Sequence, residues 1–190
     1  MMVAWNVRGL NKSGKIKEVS SRLHDLHPAI VILIETRVKS NKAPVIRGKL
    51  GFRGEYIDNY AAHINGRLWI YWDNSKLNIR CLLKTSQAIH CGVYDVVGNF
   101  KFWLTAVYAL NRLEDRKLLW KTIEKICKSY QGPWCLIGDY NNVANAQDRI
   151  GGNIVTESEF EDFQGMLTKI GLSEMDTTGD FFTWSNKQST

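Results

Sequence analysis

Three stretches of the chain place apolar residues at intervals of three and four, which is the spacing of one face of an α-helix. The first runs from Ile16 to Leu26 and stops at His27-Pro28, because proline disfavours helical backbone in the residue before it. The second runs from Leu113 to Tyr130 and ends before Gly132-Pro133, and the third runs from Phe160 to Ile170. The pattern therefore predicts three amphipathic helices.

Other stretches carry the continuous or alternating apolar residues of strands. Short buried strands are expected at Met2–Trp5, Ala29–Ile34 and Trp134–Ile137. Four further strands are expected to form an antiparallel meander, whose last two members make a hairpin: residues 67–72, 77–82, 89–97 and 100–108. The polar, basic residues 37–49 indicate a surface loop or a short helix, and residues 179–186 indicate a turn followed by a strand.

The order of these elements predicts an α/β fold with two β layers and helices outside. The sequence has no internal repeat or interdomain linker, so residues 1–190 are expected to form a single domain. No apolar run approaches the roughly 18 residues that a membrane span needs, which predicts a soluble protein. The four cysteines form no CxxC pair, which disfavours a zinc site or a disulfide framework and favours a reducing compartment.

Charge is distributed unevenly along the chain, whose formal net charge is +6. Residues 1–140 contain 22 Lys and Arg against 11 Asp and Glu, whereas residues 141–180 contain 2 against 8. A cationic body suits a polyanion such as nucleic acid, which proteins bind largely by neutralising phosphates. A basic face can equally be only a solvated surface, so charge alone leaves the partner open.

Polar side chains stand at the ends of three of the predicted buried strands. They are Asn6, Glu35, and Asp139 with Asn141. Mg²⁺ prefers oxygen ligands and is often held by one or two carboxylates together with water and substrate phosphate, so Glu35 and a neighbouring amide form a sufficient set. Each residue also has a structural explanation, because such side chains stabilise turns, strand ends and loops.

Five short motifs occur in order along the chain: Trp5-Asn6-Val7-Arg8-Gly9-Leu10, Ile34-Glu35-Thr36, Val107-Tyr108, Gly138-Asp139-Tyr140-Asn141 and Phe182-Thr183-Trp184. Their order and approximate spacing resemble the endonuclease/exonuclease/phosphatase superfamily. Residues 147–152, with the sequence Gln-Asp-Arg-Ile-Gly-Gly, look like its plant non-LTR retrotransposon branch. The resemblance covers essentially the whole chain. It implies a deoxyribonuclease I-like, four-layer α/β sandwich of two mixed β-sheets flanked by helices, which is expected here to lack its last strands.

The resemblance also implies roles for individual residues. Glu35 would be the main Mg²⁺ ligand, with Asn6 beside it in the metal shell. Asp139 would orient or deprotonate the attacking water, Asn141 would position that water or the phosphate, and Tyr108 would contact the phosphate from the side. Contacts with nucleic acid are expected from three further residues: Arg8, Arg37 and Trp184.

The function implied by this resemblance is a Mg²⁺-dependent endonuclease that nicks double-stranded DNA, with a nuclear location and an oligomeric state that the sequence does not fix. Two departures from the family pattern matter. Arg8 stands where some relatives have an acidic residue, and it could bind phosphate or lie in a solvated turn. The sequence contains no Ser-Asp-His segment, which in the family follows the Phe-Thr-Trp motif, and impaired activity is therefore expected.

Two alternatives remain open at this stage. One is a catalytically dead remnant that binds nucleic acid through its cationic face. The other is a phosphatase or lipid phosphodiesterase of the same superfamily, which the basic composition and the retrotransposon-like segment disfavour. The four histidines, His24, His27, His63 and His90, lie in no matching motif and are expected to be structural.

Overall fold

The computed structural model describes residues 1–144, 148, 157–176 and 178–179. It contains eight strands: β1 (Met2–Asn6), β2 (Ile30–Ile34), β3 (Glu55–Asp58), β4 (Leu68–Trp72), β5 (Leu77–Lys84), β6 (Ala88–Asp95), β7 (Phe100–Tyr108) and β8 (Trp134–Asp139). Its α-helices are α1 (Ser13–Leu26), α2 (Ala43–Leu50), α3 (Leu113–Ser129) and α4 (Glu157–Ile170). A short 3-10 helix, Ser40–Lys42, precedes α2, so the polar stretch that could have been a loop is helical.

The strands form two four-stranded mixed sheets. The first has the order β1-β2-β4-β3, and only its β1–β2 pair is parallel. The second has the order β5-β6-β7-β8, and only its β7–β8 pair is parallel. The two-sheet α/β architecture expected from the sequence is therefore confirmed, as is the β6–β7 hairpin.

The predicted four-stranded meander is wrong in one member. Residues 68–72 form β4, which pairs with β2 and β3 in the first sheet instead of with β5. All five residues of β4 are buried, whereas β5 alternates between buried and exposed positions. A strand buried on both faces belongs inside a sheet, and β4 accordingly has a neighbour on either side.

Two apolar clusters hold the two sheets and helices α1 and α2 together. One lies between the sheets and includes Ile32 and Ile70 of the first sheet with Ile89 and Leu104 of the second. The other lies between the first sheet and helices α1 and α2, and it contains the predicted apolar stripe of α1. Burial of this stripe explains why the three-and-four spacing beginning at Ile16 becomes a helix.

The chain divides into two compact units. The first comprises residues 1–110 and 130–140 and contains both sheets with α1 and α2. The second comprises residues 111–129 and 141–190, in which Trp120 of α3 stacks against Phe163 of α4 with ring centroids 5.0 Å apart. Within the described residues, no helix has the length and apolar character needed to cross a membrane. The strand expected at residues 179–186 lies almost entirely outside the described residues.

Candidate active site

The parallel pair β1–β2 brings the first two polar strand ends to one edge of the first sheet. Asn6 is opposite Ile34, the residue before Glu35. Hydrogen bonds continue past the strands, because the Val7 amide donates to the Ile34 carbonyl at 3.0 Å and the Gly9 amide donates to the Glu35 carbonyl at 2.8 Å. The segments that carry Asn6 and Glu35 are therefore fixed to each other by backbone bonds.

The parallel pair β7–β8 does the same for the second sheet. Tyr108 and Asp139 are register partners at the ends of their strands. The Ala109 amide donates to the Asp139 carbonyl at 2.8 Å, and the Tyr108 amide donates to the Gln87 carbonyl at 2.9 Å. Because the carboxyl ends of parallel strands lie at one edge, the phenol and the carboxylate face the same end of the sheet.

A side-chain hydrogen bond joins the two sheet edges. Asn6 Nδ2 donates to Asp139 Oδ2 at 2.5 Å, although the residues are 133 positions apart in the sequence. Asn6 Oδ1 accepts a hydrogen bond from the Arg8 amide at 3.1 Å. The Asn6 amide is thus held in one orientation, with its nitrogen toward Asp139 and its oxygen toward the turn after β1.

Glu35 is a nearly buried carboxylate at this edge, with 7% of its surface exposed. Its partner is the Arg37 guanidinium, which forms an ion pair with Oε1 while more than half of the arginine side chain stays exposed. A buried carboxylate requires such compensation, since removing a charge from water is costly. Arg37 therefore lies at the candidate site as a counter-charge to Glu35.

The charges of both carboxylates, Glu35 and Asp139, affect the pKa of Tyr108. Burial raises the pKa of its phenol, and the nearby charges of Glu35 and Asp139 raise this pKa further. The guanidinium groups of Arg67 and Arg37 act on the pKa in the opposite direction. The Arg67 guanidinium carbon lies 5.3 Å from the centroid of the Tyr108 ring. The tyrosine is therefore located among two carboxylates and two cations.

Backbone with positive φ is concentrated at the candidate residues. Among the described residues, five other than glycine have positive φ, and four of them were predicted site residues: Arg8, Glu35, Arg37 and Asn141. Such conformations cost about 1–3 kcal/mol each and often occur at functional sites, where surrounding structure enforces them. This strain is evidence, independent of the sequence motifs, that the surrounding structure holds these turns in defined conformations.

The structure does not link the side chains of the other three predicted residues to this cluster in the part of the chain that it describes. Arg8 is exposed in the turn after β1. Asn141 belongs to the second unit, where Arg116 donates a hydrogen bond to its carbonyl oxygen. Trp184 lies outside the described residues. The described residues contain no group of three or more His, Cys, Asp or Glu side chains that could hold a metal ion.

A family model decides how this geometry should be interpreted. Residues 3–190 match the model described as endonuclease/exonuclease/phosphatase family. The chain belongs to this family. No protein with curated annotation matches the sequence significantly.

Solved structures of three other proteins are similar in fold to this chain. The endonuclease domain of TRAS1, a telomere-specific non-LTR retrotransposon, matches with a TM-score of 0.66 at 16% identity, over 89% of this chain and 71% of that chain. AP endonuclease LMAP from Leishmania major matches with a TM-score of 0.67 at 15% identity, over 89% and 66%. Humanized TDP2 from D. rerio matches with a TM-score of 0.56 at 15% identity, over 73% and 65%.

These structural matches establish the fold of this chain. Because the sequence identities are low, its activity has to be argued from the site. The chain spans a little under two thirds of the LMAP and TDP2 chains. The structural matches confirm the deoxyribonuclease I-like arrangement of two mixed sheets flanked by helices.

Sequence reasoning missed Arg67 at the candidate site. It precedes β4, and its neighbourhood with Tyr108 depends on the pairing of β4 with β2 in the other sheet. The only signal available in the sequence was a basic residue beside an apolar run after glycine, which is common at strand starts. The position became informative only once the two sheets were placed.

Proposed function

We propose that this chain is a Mg²⁺-dependent phosphodiesterase domain that nicks double-stranded DNA in the nucleus, and that it derives from a non-LTR retrotransposon. The observation that carries the proposal is the Asn6–Asp139 hydrogen bond of 2.5 Å, formed beside buried Glu35. It unites three strand ends from two sheets in one oxygen-rich edge. The fold shared with the TRAS1 endonuclease domain supports the retrotransposon assignment.

The residues at this edge fit a magnesium ion. Glu35 offers a carboxylate, and Asn6 Oδ1 accepts one hydrogen bond, from the Arg8 amide, which leaves a lone pair. One or two carboxylates and an amide oxygen are a suitable set for Mg²⁺, which keeps several waters and takes further ligands from phosphate. We assign Glu35 and Asn6 as its ligands. Bound Mg²⁺ would neutralise charge on the phosphoryl oxygens.

The other residues divide the remaining chemistry. Asp139 accepts the proton of the attacking water, and the Asn6 Nδ2 group orients this carboxylate. Tyr108 donates a hydrogen bond from its phenol to a phosphoryl oxygen, since its raised pKa keeps the phenol protonated at neutral pH. Arg37 neutralises the charge of Glu35 through their ion pair. Asn141 positions the water or the phosphate.

Contacts with DNA lie outside the reacting centre in this proposal. Arg8 is exposed beside Asn6 and contacts a backbone phosphate. Trp184 is a further contact to the nucleic acid. Residues 1–190 act as one catalytic domain.

A plasmid-nicking assay tests the proposed activity. The wild-type chain is expected to convert supercoiled plasmid to the open circular form with Mg²⁺ and to stop when EDTA is added. Glu35→Gln keeps the shape of the side chain and removes its charge, so nicking should fall at least about 100-fold. Nicking that persists in EDTA, or that survives Glu35→Gln unchanged, would contradict the metal assignment.

A nucleic-acid-binding remnant is the second candidate. The observation in its favour is the cationic character of residues 1–140, which contain 22 Lys and Arg against 11 Asp and Glu. It predicts salt-dependent binding of duplex DNA together with no Mg²⁺-dependent nicking at any enzyme concentration. A duplex-binding measurement beside the plasmid assay therefore separates the two candidates.

A further inference from the structure

Arg67 is a partly buried cation at the candidate site, and it forms no ion pair with an acidic residue in the described part of the chain. Its guanidinium carbon lies 5.3 Å from the Tyr108 ring centroid. Its Nε atom is buried and has no hydrogen-bond partner. Ion pairs among the described residues occupy Arg37 and Arg47 but none includes Arg67. This position differs from that of a solvated surface arginine.

The backbone that carries Arg67 is fixed from two sides. Asn59 is fully buried, and its Oδ1 accepts hydrogen bonds from the amides of Arg67 at 3.0 Å and Leu68 at 3.1 Å. On the other side, Thr36 Oγ1 donates to the Gly66 carbonyl at 2.7 Å. Thr36 directly follows Glu35 in the sequence. The arginine is therefore attached to the segment that presents the proposed metal ligand.

The glycine before Arg67 shows how closely this turn is packed. Gly66 has φ of +39°, and a Cβ atom there would lie 2.2 Å from the Tyr60 ring. A side chain larger than hydrogen would force either the Tyr60 ring or the turn that carries Arg67 to move. The placement of Arg67 thus depends on a glycine, a buried asparagine and a buried threonine.

A guanidinium in such a place needs an anion. Its Nε–H group is shielded from water without a hydrogen-bond partner among the described residues, which is costly, and an anion would provide that partner. Glu35 and Asp139 are close enough to influence the pKa of Tyr108, yet Glu35 is already paired with Arg37 and Asp139 with Asn6. The planar fork of arginine matches the oxygens of a phosphate, to which it can donate two parallel hydrogen bonds.

We propose that Arg67 is a substrate-binding residue that donates hydrogen bonds to a phosphate of the nucleic-acid backbone beside Tyr108. The assignment rests on the proposed function, because it places a phosphodiester at this sheet edge. It adds a contact that none of the five sequence motifs contains. The fixed backbone partly preorganises the contact, because no backbone freedom at Arg67 has to be lost on binding.

The test measures the affinity of the whole 190-residue chain for a fluorescein-labelled DNA duplex by fluorescence anisotropy, in EDTA and at several NaCl concentrations. Arg67→Met is expected to weaken binding about tenfold at low salt and to reduce the slope of log Kd against log [NaCl] by about one, as loss of one phosphate contact should. Arg67→Lys, which keeps the charge but loses the fork, should retain the wild-type slope at reduced affinity.

Arg80→Met is the matched control. Arg80 also places its guanidinium over a tyrosine ring, 4.6 Å from the Tyr94 centroid, but it pairs with Gly92 on β6, far along the sheet from Tyr108. It should leave the slope unchanged. Equal slopes for wild type, Arg67→Met and Arg80→Met would overturn the assignment, and so would a wild-type chain that binds no duplex. Thermal unfolding of each variant verifies folding, and Arg67→Gln replaces Arg67→Met if the latter does not fold.

The outcome is distinguishable from that of the plasmid assay. A reduced slope in Arg67→Met without Mg²⁺-dependent nicking by the wild type would support the phosphate contact and contradict the proposed activity. Glu35-dependent nicking together with an unchanged slope in Arg67→Met would overturn the phosphate contact and leave the proposed activity supported.

Discussion

The phenol of Tyr108 lies near charges of both signs. Glu35 and Asp139 raise its pKa, whereas Arg67 and Arg37 lower it. Burial contributes most to its raised pKa, and the two carboxylates add to the effect. An ionised phenol would be a third anion in a nearly enclosed place, so the neutral form is favoured. Tyr108 therefore keeps its proton across the neutral range.

This residue provides the first prediction. Tyr108→Phe preserves the ring that packs against Arg67 and removes only the donor, so the rate of plasmid nicking should fall about 100-fold while the melting temperature changes little. The wild-type rate should also show no loss attributable to Tyr108 ionisation between pH 7 and pH 9, because the raised pKa lies above this window.

Tyr94→Phe is the control for the loss of a tyrosine hydroxyl, since Tyr94 lies on β6 in the same sheet and packs edge-on against Phe100. It should nick at the wild-type rate. A Tyr108→Phe variant as active as Tyr94→Phe would remove Tyr108 from the reaction.

At the scale of elements, the approach of β8 to β7 determines where Asp139 lies. A Cβ atom on Gly138 would be 2.0 Å from the Val107 carbonyl oxygen, its register neighbour. No side chain fits there without separating the two strands. Asp139 is the next residue, so a displaced β8 would shift the carboxylate relative to Tyr108 and Asn6.

Gly138→Ala is therefore expected to lower both stability and activity. We expect a loss of about 1–3 kcal/mol in the free energy of unfolding, as for overpacked positions, and nicking reduced by at least about tenfold. Urea unfolding followed by tryptophan fluorescence measures the first effect and the plasmid assay the second. Gly48 is at an exposed position in α2, where an added Cβ atom would meet no neighbouring group within 4 Å. Gly48→Ala should therefore be neutral or raise the free energy of unfolding by up to about 1 kcal/mol. Equal stabilities of the two variants would contradict the close approach.

Helix α2 is attached to the β3 edge of the first sheet by Arg47. Its guanidinium carbon lies 3.9 Å from the Tyr56 ring centroid and 4.8 Å from that of Trp69, and its Nη2 atom is 2.5 Å from Asp58 Oδ2. Both members of this ion pair are largely shielded from solvent. One arginine thus connects a helix to two adjacent strands.

Arg47→Met should weaken this attachment. The variant keeps an apolar stem but leaves Asp58 without its cation, and we expect a loss of about 2 kcal/mol in the free energy of unfolding. The double variant Arg47→Met/Asp58→Asn should recover part of the loss, because no unpaired charge remains. Arg53→Met, at an exposed loop position, should change stability by less than about 0.5 kcal/mol. A loss no larger than that of Arg53→Met would refute the role of Arg47.

At the scale of the molecule, His90 links stability to pH. It is fully buried, its Nδ1 lies 2.8 Å from Thr105 Oγ1, and its ring centroid is 4.7 Å from that of Tyr130. Burial lowers the pKa of His90 to about 4. The unfolded chain binds the imidazole proton near the ordinary value, so between about pH 6.5 and pH 4 the unfolded state holds more protons and stability falls as pH falls.

The wild-type chain should accordingly lose about 2 kcal/mol of stability between pH 7 and pH 5 through this one residue. His90→Gln cannot take up the proton, and its loss over the same interval should be less than half as large. Urea midpoints at the two pH values provide the measurement. The carboxyl groups of Asp73 and Asp95, whose pKa values are lowered by hydrogen bonds, ionise below this window and do not obscure it. A pH dependence that is equal in both proteins would contradict the assignment.

The sequence by itself determined the type and order of most elements, because apolar periodicity records which face of a local segment is buried. It also determined that Asn6, Glu35 and Asp139 stand at the ends of strands, and its motifs indicated the family that the match over residues 3–190 establishes. It missed β3, a four-residue edge strand in which only Ile57 is buried, since so short a segment carries no clear period.

Only the tertiary structure decided which strands are neighbours. A run such as residues 68–72 is equally apolar in either sheet, and its place beside β2 follows from hydrogen bonds to residues far away in the sequence. The same pairing brings Arg67 close to Tyr108, and the packing of the two sheets against each other brings Asn6 close to Asp139. Local patterns encode burial, whereas contacts between distant segments are fixed by packing and backbone pairing of the whole chain, which no local pattern contains.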